Sequence, residues 1–311
     1  MEAIVIRFLS TDHKSLLVYE ALSSKARLDV IDMLAKQPMS VREIADRLSF
    51  SSATVTVHIQ KLEEAGIVSC KPAPGKHGRQ KICSLAMEAF QGSFRAEPEV
   101  KDHLSCSIRI GHYTDYSVKP TCGLAVPSSF VGQMDDPRYF SDPRRFEADV
   151  LWFAEGFVEY RIPNYLLPGQ RLVRIDLSME LCSEAPGCNE NWPSDISFEL
   201  NRVRLGTWTC PGDFGERRGI LNPDWWPQKN KTQHGLLKIV SVTEEGSYID
   251  GVKLSGVTVR DIHPAFGKDL PFRIAVPSEA ANVGGVTLFG QSFGNYNQNI
   301  EVSFQVASDA G

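Results

Sequence analysis

Apolar residues in the first third of the chain recur every three or four positions, which is the spacing of one face of a helix. Pro38 and Gly66 stand where two of these periodic segments stop, as residues that end helices do. The pattern predicts four helices, over residues 14–22, 24–36, 40–48 and 51–67.

The fourth predicted helix has two faces of different chemistry. At about 100° per residue, Val55, Ile59 and Leu62 fall on one stripe, which we expect to pack inward. Hydroxyl, amide and methyl groups on the other side match base edges and thymine methyl groups in a major groove, and lysine matches a phosphate. We expect base contacts from Ser52, Ala53, Thr56, Val57 and Gln60, and phosphate contacts from Thr54 and Lys61. An ordinary surface helix would show the same periodicity, so the interpretation depends on the neighbouring elements.

The preceding helix and turn fit a DNA-binding domain. Ser40 and Glu43 have the spacing of a capping box at the start of the third helix. Residues 49–50 turn the chain, and Ser51 is placed to cap the fourth helix. Two short helices joined by a tight turn make a helix-turn-helix.

The segment after the fourth helix is predicted to be a β-hairpin, with strands over residues 67–71 and 79–85 and a turn over 72–78. No acidic residue lies between Glu64 and Glu88, so the hairpin is positively charged. We expect a wing whose basic side chains contact phosphates or the minor groove, namely Lys76, Arg79 and Lys81. The alternative is a basic hairpin that is only a solvated loop.

Residues 48–68 resemble the winged-helix domain of ArsR-type bacterial repressors, and the likeness extends over roughly residues 10–90. It rests on Ser51, Thr54, Val55, Thr56, His58, Leu62 and residues 64–68. The resemblance implies a homodimer on double-stranded operator DNA, with the first helix and residues 86–94 at the dimer interface.

The same resemblance bears on metal binding. Metal-sensing members carry a Cys-x-Cys pair where this chain has Ser40 and Arg42, so we expect no metal site and no cofactor. His58 matches a histidine of the family, but its position near the buried stripe favours packing over metal ligation.

The chain changes character at residues 97–99, after which turn residues punctuate strand-like segments. Apolar and polar residues alternate at 173–181, 196–200 and 300–306, and each alternation predicts a strand with one buried face. Further strands are predicted over residues 156–162, 236–242, 257–262, 272–276 and 285–289. Eight or nine strands at this length suggest an antiparallel sandwich of jelly-roll type.

We therefore predict a multidomain α+β protein with two domains. Residues 1–97 form a winged helix-turn-helix, mainly α with a β wing, and residues 98–311 form an all-β antiparallel, jelly-roll-like sandwich. The second domain resembles the β-sandwich sensor region of some ArsR-type regulators and, more loosely, jelly-roll carbohydrate-binding modules.

A long loop over residues 206–227 carries three of the five tryptophans of the chain. Tryptophan rings stack on sugar rings, while Arg and Asn side chains bind hydroxyls or carboxylates. A sugar or sugar-acid effector is therefore a reasonable ligand for candidate residues Trp192, Arg217, Arg218, Asn222, Trp225 and Trp226. The alternative is that the tryptophans pack as a lid over the sheet.

Composition and charge add limits to this assignment. The formal net charge of −5 divides into +2 over residues 1–97 and −7 over the rest, so the excess of positive charge lies in the predicted DNA-binding half. Seven cysteines without a Cys-x-x-Cys pair favour reduced structural thiols. No apolar run is long enough for a membrane span and no signal-peptide pattern is present, so we expect a cytoplasmic protein without membrane contact.

These features favour a one-component transcriptional regulator, not an enzyme, with a small-molecule effector bound by the second domain. One alternative is a glycan-processing enzyme or carbohydrate-binding module with a DNA-binding appendage, in which two carboxylates would act. The candidate carboxylates are Glu155, Glu159, Glu180 and Glu199. A second alternative is a scaffold whose sandwich docks a protein partner.

Overall fold

The computed structural model of the chain describes residues 6–9, 15–75, 78–87, 89–92 and 103–308. The backbone divides into two compact units, Met1–Pro98 and Glu99–Gly311.

The described part of the first unit contains four helices and five strands. The helices are α1 (Leu16–Leu22), α2 (Lys25–Leu34), α3 (Val41–Leu48) and α4 (Ser52–Glu64). The strands are β1 (Ile6–Leu9), β2 (Met39–Ser40), β3 (Val68–Gly75), β4 (Gly78–Leu85) and β5 (Ala89–Gly92). The four predicted helices are confirmed, each slightly shorter than the periodic segment that predicted it.

The helices of the first unit share one apolar core. Fully buried Val18, Val30, Ile44 and Leu62 come from α1, α2, α3 and α4 respectively. These positions lie on the predicted apolar stripes, so burial of those stripes, more than helix propensity, stabilises such short helices.

The hairpin after α4 is longer than predicted. Strands β3 and β4 pair from Val68 opposite Leu85 as far as Gly75 opposite Gly78, so most of the turn predicted over residues 72–78 is strand. Strand β3 is at the edge of the three-stranded sheet β2-β4-β3. Proline is tolerated on an edge strand where its nitrogen faces away from the neighbouring strand, and that explains Pro72 and Pro74 in β3.

The expectation that the cysteines are reduced is wrong for one pair. Cys70 of β3 and Cys83 of β4 stand directly opposite each other, with 4.1 Å between their Cα atoms, and form a disulfide. The sequence separation of 13 gives no Cys-x-x-Cys signal, because the pairing depends on the hairpin register. Cys106, Cys122, Cys182, Cys188 and Cys210 are free thiols.

The second unit is built from antiparallel strands, thirteen of them within residues 103–308. They are β6 (His103–Ile108), β7 (Asp115–Val126), β8 (Ser129–Phe130), β9 (Val150–Ile162), β10 (Gln170–Cys182), β11 (Ser194–Leu200), β12 (Val203–Cys210), β13 (Leu236–Val242), β14 (Ser247–Ile249), β15 (Val252–Ser255), β16 (Leu270–Val276), β17 (Val286–Phe289) and β18 (Ile300–Ser308). Short 3-10 helices occur at Ile110–His112, Pro137–Ser141 and Pro143–Glu147.

The strands form two series joined through β17. One series runs β12-β11-β16-β9-β7-β8, and the other runs β6-β18-β10-β13-β14-β15. Strand β17 pairs with β9 on one side and β10 on the other. Inward-facing residues of both series, including Tyr160, Phe198, Leu177 and Val302, lie in one apolar core. The predicted all-β antiparallel character of the second domain is confirmed.

Two local predictions in this unit are wrong. Residues 257–262 form a turn, in which the Thr258 amide and hydroxyl both donate to the Asp261 carboxylate, while Val259 and Ile262 are buried at its base. Such side-chain bonds compete with strand formation. Residues 206–210, predicted as loop, belong to β12, where a register shift opposite Phe198 disturbs the alternation.

Among the residues that the structure describes, no helix combines the length and hydrophobicity that crossing a membrane requires.

Candidate nucleic-acid interface

The start of α3 is fixed by the predicted capping box. The Glu43 amide donates to Ser40 Oγ at 3.2 Å, and the Ser40 amide donates to Glu43 Oε2 at 2.7 Å. These hydrogen bonds lower the pKa of Glu43, because both backbone and side chain of Ser40 donate to its ionised carboxylate. The box sets where α3 begins and therefore where the following turn falls.

The turn between α3 and α4 is tight and capped on both sides. Ser49 adopts a left-handed conformation with φ 56°, and the Phe50 amide donates to the Ala45 carbonyl at 3.0 Å. Ser51 Oγ accepts from the Thr54 amide at 3.1 Å, which makes Ser51 the N-cap of α4.

The end of α4 is a Schellman motif. Gly66 has φ 72°, its amide donates to Glu63 O at 2.9 Å, and the Ile67 amide donates to Leu62 O at 2.9 Å. Buried Leu62 and Ile67 provide the apolar pair that accompanies this motif. Both ends of α4 are thus held by local chemistry as well as by the core.

The two predicted faces of α4 are confirmed by burial. Val55, Ile59 and Leu62 are at most 1% exposed, whereas Val57 is 54% exposed. An apolar side chain so exposed beside polar neighbours is available for a thymine methyl group. The exposed candidates on α4 are Ser52, Ala53, Thr54, Val57, Gln60 and Lys61.

Two hydroxyls of this face are already engaged within the helix. Thr56 is half-buried and its Oγ1 donates to the Ser52 carbonyl at 2.7 Å. Thr54 Oγ1 lies 2.8 Å from Ser51 Oγ. Val57 and Gln60 have no such internal contact within the described residues and therefore present the freest groups for bases.

The comparisons with known proteins concern this same segment. A family profile described as "Helix-turn-helix domain" matches residues 22–70, which contain α2, α3, α4 and the start of β3. Residues 22–70 are a helix-turn-helix domain. An uncharacterized HTH-type transcriptional regulator from Methanocaldococcus jannaschii is 41% identical to the chain over 49 residues, which are 16% of this chain and 52% of that protein. The chain thus spans about half the length of the curated relative that it matches.

Solved structures were found that are similar to parts of the chain. HlyU from Vibrio cholerae matches 24% of this chain and 75% of its own, at 23% identity and a TM-score of 0.21. A carbohydrate-binding module, CBM36, solved in complex with calcium and xylotriose, matches 65% of this chain and 98% of its own, at 9% identity and a TM-score of 0.25.

Part of the predicted basic wing lies within the described residues. Lys81 of β4 pairs with Glu63 of α4 at 2.7 Å, so its charge is offset within the unit. Arg79 stands in β4 opposite Pro74. Lys76 lies outside the described residues. The pairing of Lys81 with Glu63 therefore reduces the free positive charge next to α4.

His58 lies where the sequence placed it, at the margin of the buried stripe. Its ring is half-buried and packs 6.2 Å from the ring of Phe50. Nδ1 is buried with no hydrogen-bond partner among the described residues. No three His, Cys, Asp or Glu side chains of the described chain are grouped as a metal site requires.

Sequence reasoning missed two basic residues of the helix-turn-helix domain. Arg42 and Arg47 are exposed on α3, the helix that crosses the DNA backbone in domains of this kind. Their positions outside the apolar stripe of Val41, Ile44 and Leu48 are the sequence signal that indicates their exposure.

The candidate ligand residues of the β unit are mostly engaged in internal contacts. Trp226 is buried, donates from Nε1 to Thr232 O at 3.0 Å and packs 5.0 Å from the Phe293 ring. Trp225 is half-buried and donates to Pro127 O at 2.7 Å. These contacts are those of a packing lid, the alternative stated for this loop.

Of the other candidate ligand residues, Arg218 and Asn222 also make internal hydrogen bonds, whereas the side chains of Arg217 and Trp192 make none within the described residues. Arg218 donates to the carbonyls of Asn222, Pro223 and Trp226. Asn222 is buried, donates to Gln233 and accepts from the Gly294 amide at 2.8 Å. Arg217 is exposed, and Trp192 is half-buried with Nε1 buried and without a partner among the described residues.

Three buried carboxyls of the β unit, those of Glu184, Asp213 and Glu180, have raised pKa values. Glu184 accepts from Thr287 Oγ1 at 2.8 Å and Thr232 Oγ1 at 3.1 Å, and burial together with the charge of Asp213 raises its pKa to about 8. Burial also raises the pKa of Asp213 to about 6. Burial raises the pKa of Glu180 to about 7, although backbone amides of Gly235, Asn295 and Tyr296 donate to its carboxylate.

The four carboxylates considered for glycan processing do not meet in one place. Glu180 is fully buried under its backbone donors, and Glu155 pairs with Lys119. Glu159 and Glu199 line a common cleft on the outer face of β9 and β11. Glu159 is held in an ion pair with Arg273 at 2.8 Å, so its carboxylate is already engaged within the unit.

Proposed function

We propose that the chain is a DNA-binding transcriptional regulator in which α4 enters the major groove of an operator. The exposed face of α4 is the observation that carries the proposal. The side chains of Val57 and Gln60 on this face make no hydrogen bond within the described residues. The helix begins at a capped turn and ends in a Schellman motif. Because both ends of α4 are fixed, its exposed side chains have a defined orientation in the domain, and recognition of bases in a groove requires such an orientation.

Phosphate contacts complete this interface. Lys61 lies beyond Gln60 on the exposed side of α4, and Arg42 and Arg47 lie exposed on α3. Each phosphate that these cations neutralise adds about 0.9 to the slope of log affinity against log salt. Arg79 and Lys76 of the wing add to this set in the proposal, whereas Lys81 contributes less while it is paired with Glu63.

The proposal includes a homodimer. Leu16 and Leu17 of α1 and Leu28 of α2 are 45–52% exposed, and Phe90 of β5 is 48% exposed. Apolar side chains exposed to this degree on two helices favour burial against another subunit. A second copy is the proposed occupant, because a two-fold dimer places two α4 helices on successive half-sites.

We further propose that the β unit is a jelly-roll-like sandwich that binds a small molecule and thereby changes DNA affinity. The two strand series around one core support the sandwich. A ligand changes DNA affinity only if it binds the DNA-bound and free states unequally.

A mobility-shift assay tests the DNA-binding proposal directly. The full chain should retain a duplex from upstream of its own gene at moderate salt, in preference to scrambled duplex. Gln60→Ala should weaken this preference, whereas Gln37→Ala, an exposed glutamine outside α4, should not. Folded protein that retains neither duplex would contradict the proposal.

A further inference from the structure

An open cleft of ≈ 520 Å³ lies on the outer face of the β unit, and none of its lining residues belongs to the tryptophan loop, residues 211–227. It is formed where β7 begins, β9 ends, β16 begins and β11 turns into β12. Its volume is within the range of small-molecule sites. Charged side chains dominate the lining, and three of them are arginines: Arg161, Arg202 and Arg273.

The floor of the cleft is a row of charges in cross-strand register. Asp115 of β7 is opposite Glu159 of β9, Glu159 is opposite Arg273 of β16, and Arg273 is opposite Glu199 of β11. Directly opposed residues project from the same face of a sheet at about 5 Å spacing. The backbone pairing thus places these four side chains side by side without any contribution from mobile loops.

One ion pair in this row is fixed. Arg273 donates to Glu159 Oε2 from both Nε and Nη2, at 3.1 and 2.8 Å, and its guanidinium lies 3.8 Å from the centre of the Phe157 ring. Arg273 thus neutralises Glu159, and its Nη2 also lies 3.9 Å from Asp115 Oδ2 in a longer ion pair.

The remaining charges are not paired with each other. The side chains of Arg161, Arg202 and Glu199 make no hydrogen bond or ion pair with any residue in the described part of the chain. Arg202 is held at its position by a two-residue turn, since Asn201 and Arg202 have φ 48° and 67° and the Asn201 side chain donates to Ile262 O at 2.6 Å. Two free guanidiniums and one free carboxylate therefore face the same cavity.

We propose that this cleft binds a small polyhydroxylated anion, a sugar that carries a carboxylate or phosphate group. Guanidiniums bind such groups with two parallel hydrogen bonds, so Arg161 and Arg202 hold the anionic group. Glu199 and Asp115 accept hydrogen bonds from hydroxyls of the same molecule. The inference deepens the proposed small-molecule binding by the β unit, on which it rests.

Other ligand classes fit these charges less well. A neutral sugar offers no anionic group to either free guanidinium. A metal ion or amine would meet those two guanidiniums as like charges. A nucleic-acid strand carries a phosphate at every step, more anionic groups than Arg161 and Arg202 can bind, and its further phosphates would lie against Asp115, Glu159 and Glu199.

Isothermal titration of the full chain with a matched panel tests the proposal. The probes are glucuronate, galacturonate, gluconate and glucose 6-phosphate, with glucose and inorganic phosphate as comparisons. At least one anionic sugar should bind, and its affinity should exceed that of glucose and of inorganic phosphate by tenfold or more. No binding by any anionic sugar, or equal binding of glucose, would overturn the proposal, and equal binding of inorganic phosphate would refute the role given to Glu199 and Asp115.

Three variants locate the site. Arg161→Gln and Arg202→Gln should each weaken the anionic sugar at least tenfold, and both positions are exposed, so the fold should be retained. Arg217→Gln, the charge-matched control on the tryptophan loop, should leave affinity unchanged. A loss confined to Arg217→Gln would overturn the assignment to the cleft.

The DNA-binding proposal is separable from this one. If the full chain binds the anionic sugar but no DNA, only the proposal of a DNA-binding regulator is refuted. If it binds DNA but no anionic sugar, only the proposal of a sugar site in the cleft is refuted.

Discussion

Glu184→Gln should flatten the dependence of β-unit stability on pH. Burial and the Asp213 charge raise the pKa of Glu184 from its ordinary value of 4.5 to about 8, so the folded state holds a proton that the unfolded state has released. A raised folded-state pKa gives stability that is complete at low pH and is lost as pH rises towards that pKa. Stability of the wild type should therefore fall between pH 5 and pH 7.5.

The magnitude follows from the two pKa values. Linkage between 4.5 and about 8 gives a loss of about 3 kcal/mol from Glu184 alone over that interval. Asp213 and Glu180, whose pKa values burial also raises, act in the same direction. The amide introduced by Glu184→Gln would keep the shape and polar character of the side chain but has no proton to release.

Urea unfolding followed by tryptophan fluorescence measures this directly, because all five tryptophans lie between residues 152 and 226. The free energy of unfolding should fall between pH 5 and pH 7.5 by about 3 kcal/mol less in Glu184→Gln than in the wild type. Glu279 is an exposed carboxylate, so Glu279→Gln should show the same change in the free energy of unfolding with pH as the wild type. Equal slopes in Glu184→Gln and the wild type would refute the reasoning.

Three further predictions concern stability. Leu62→Ala should cost about 2–5 kcal/mol as a buried truncation, whereas Gln60→Ala should change unfolding by less than about 0.5 kcal/mol; equal losses in denaturant titrations would show that the faces of α4 are misassigned. Gly294→Ala should cost about 1–3 kcal/mol more stability than Gly187→Ala, although both glycines have positive φ. A Cβ at Gly294 would lie 2.5 Å from the Glu180 oxygens, whereas a Cβ at Gly187 would have nothing within 4 Å. Similar melting temperatures of the two variants would contradict this prediction. A double-mutant cycle on Lys81 and Glu63 should give a coupling below about 1 kcal/mol, since the pair is partly exposed, and a larger coupling would show that the pair anchors the wing.

The elements that the sequence predicted best are those with local determinants. The capping box at Ser40 and Glu43, the turn at Ser49 and the glycine stop at Gly66 depend on residues within one or two turns of helix. The alternation in β10 and β18 depends only on which face meets the core. Such features follow from a short window of sequence.

The features that the sequence did not predict depend on register between distant segments. The Cys70–Cys83 disulfide needs the β3–β4 pairing, and Pro72 and Pro74 are strand residues only because β3 is an edge. The cleft needs Asp115, Glu159, Arg273 and Glu199 to be brought into one row by strands that are far apart in the chain, and no spacing in the sequence encodes that.

The tryptophan loop shows the limit of arguments from composition. Trp, Arg and Asn together suggested a sugar site, but Trp226 is buried and Arg218 and Asn222 bind backbone groups. The same residue types can stabilise a long loop or bind a ligand, and only the contacts that they make in the structure distinguish these two roles.

Selection of bound sequences from a randomised duplex library tests the central claim most directly. The full-length wild type should enrich a defined motif with two-fold symmetry, and Gln60→Ala should enrich a motif that is altered at the base pairs facing α4 while it remains folded. Gln37→Ala should enrich the wild-type motif. Failure of the folded wild type to enrich any motif, or an unchanged motif with Gln60→Ala and Val57→Ala alike, would contradict the assignment of α4 as the helix that reads DNA.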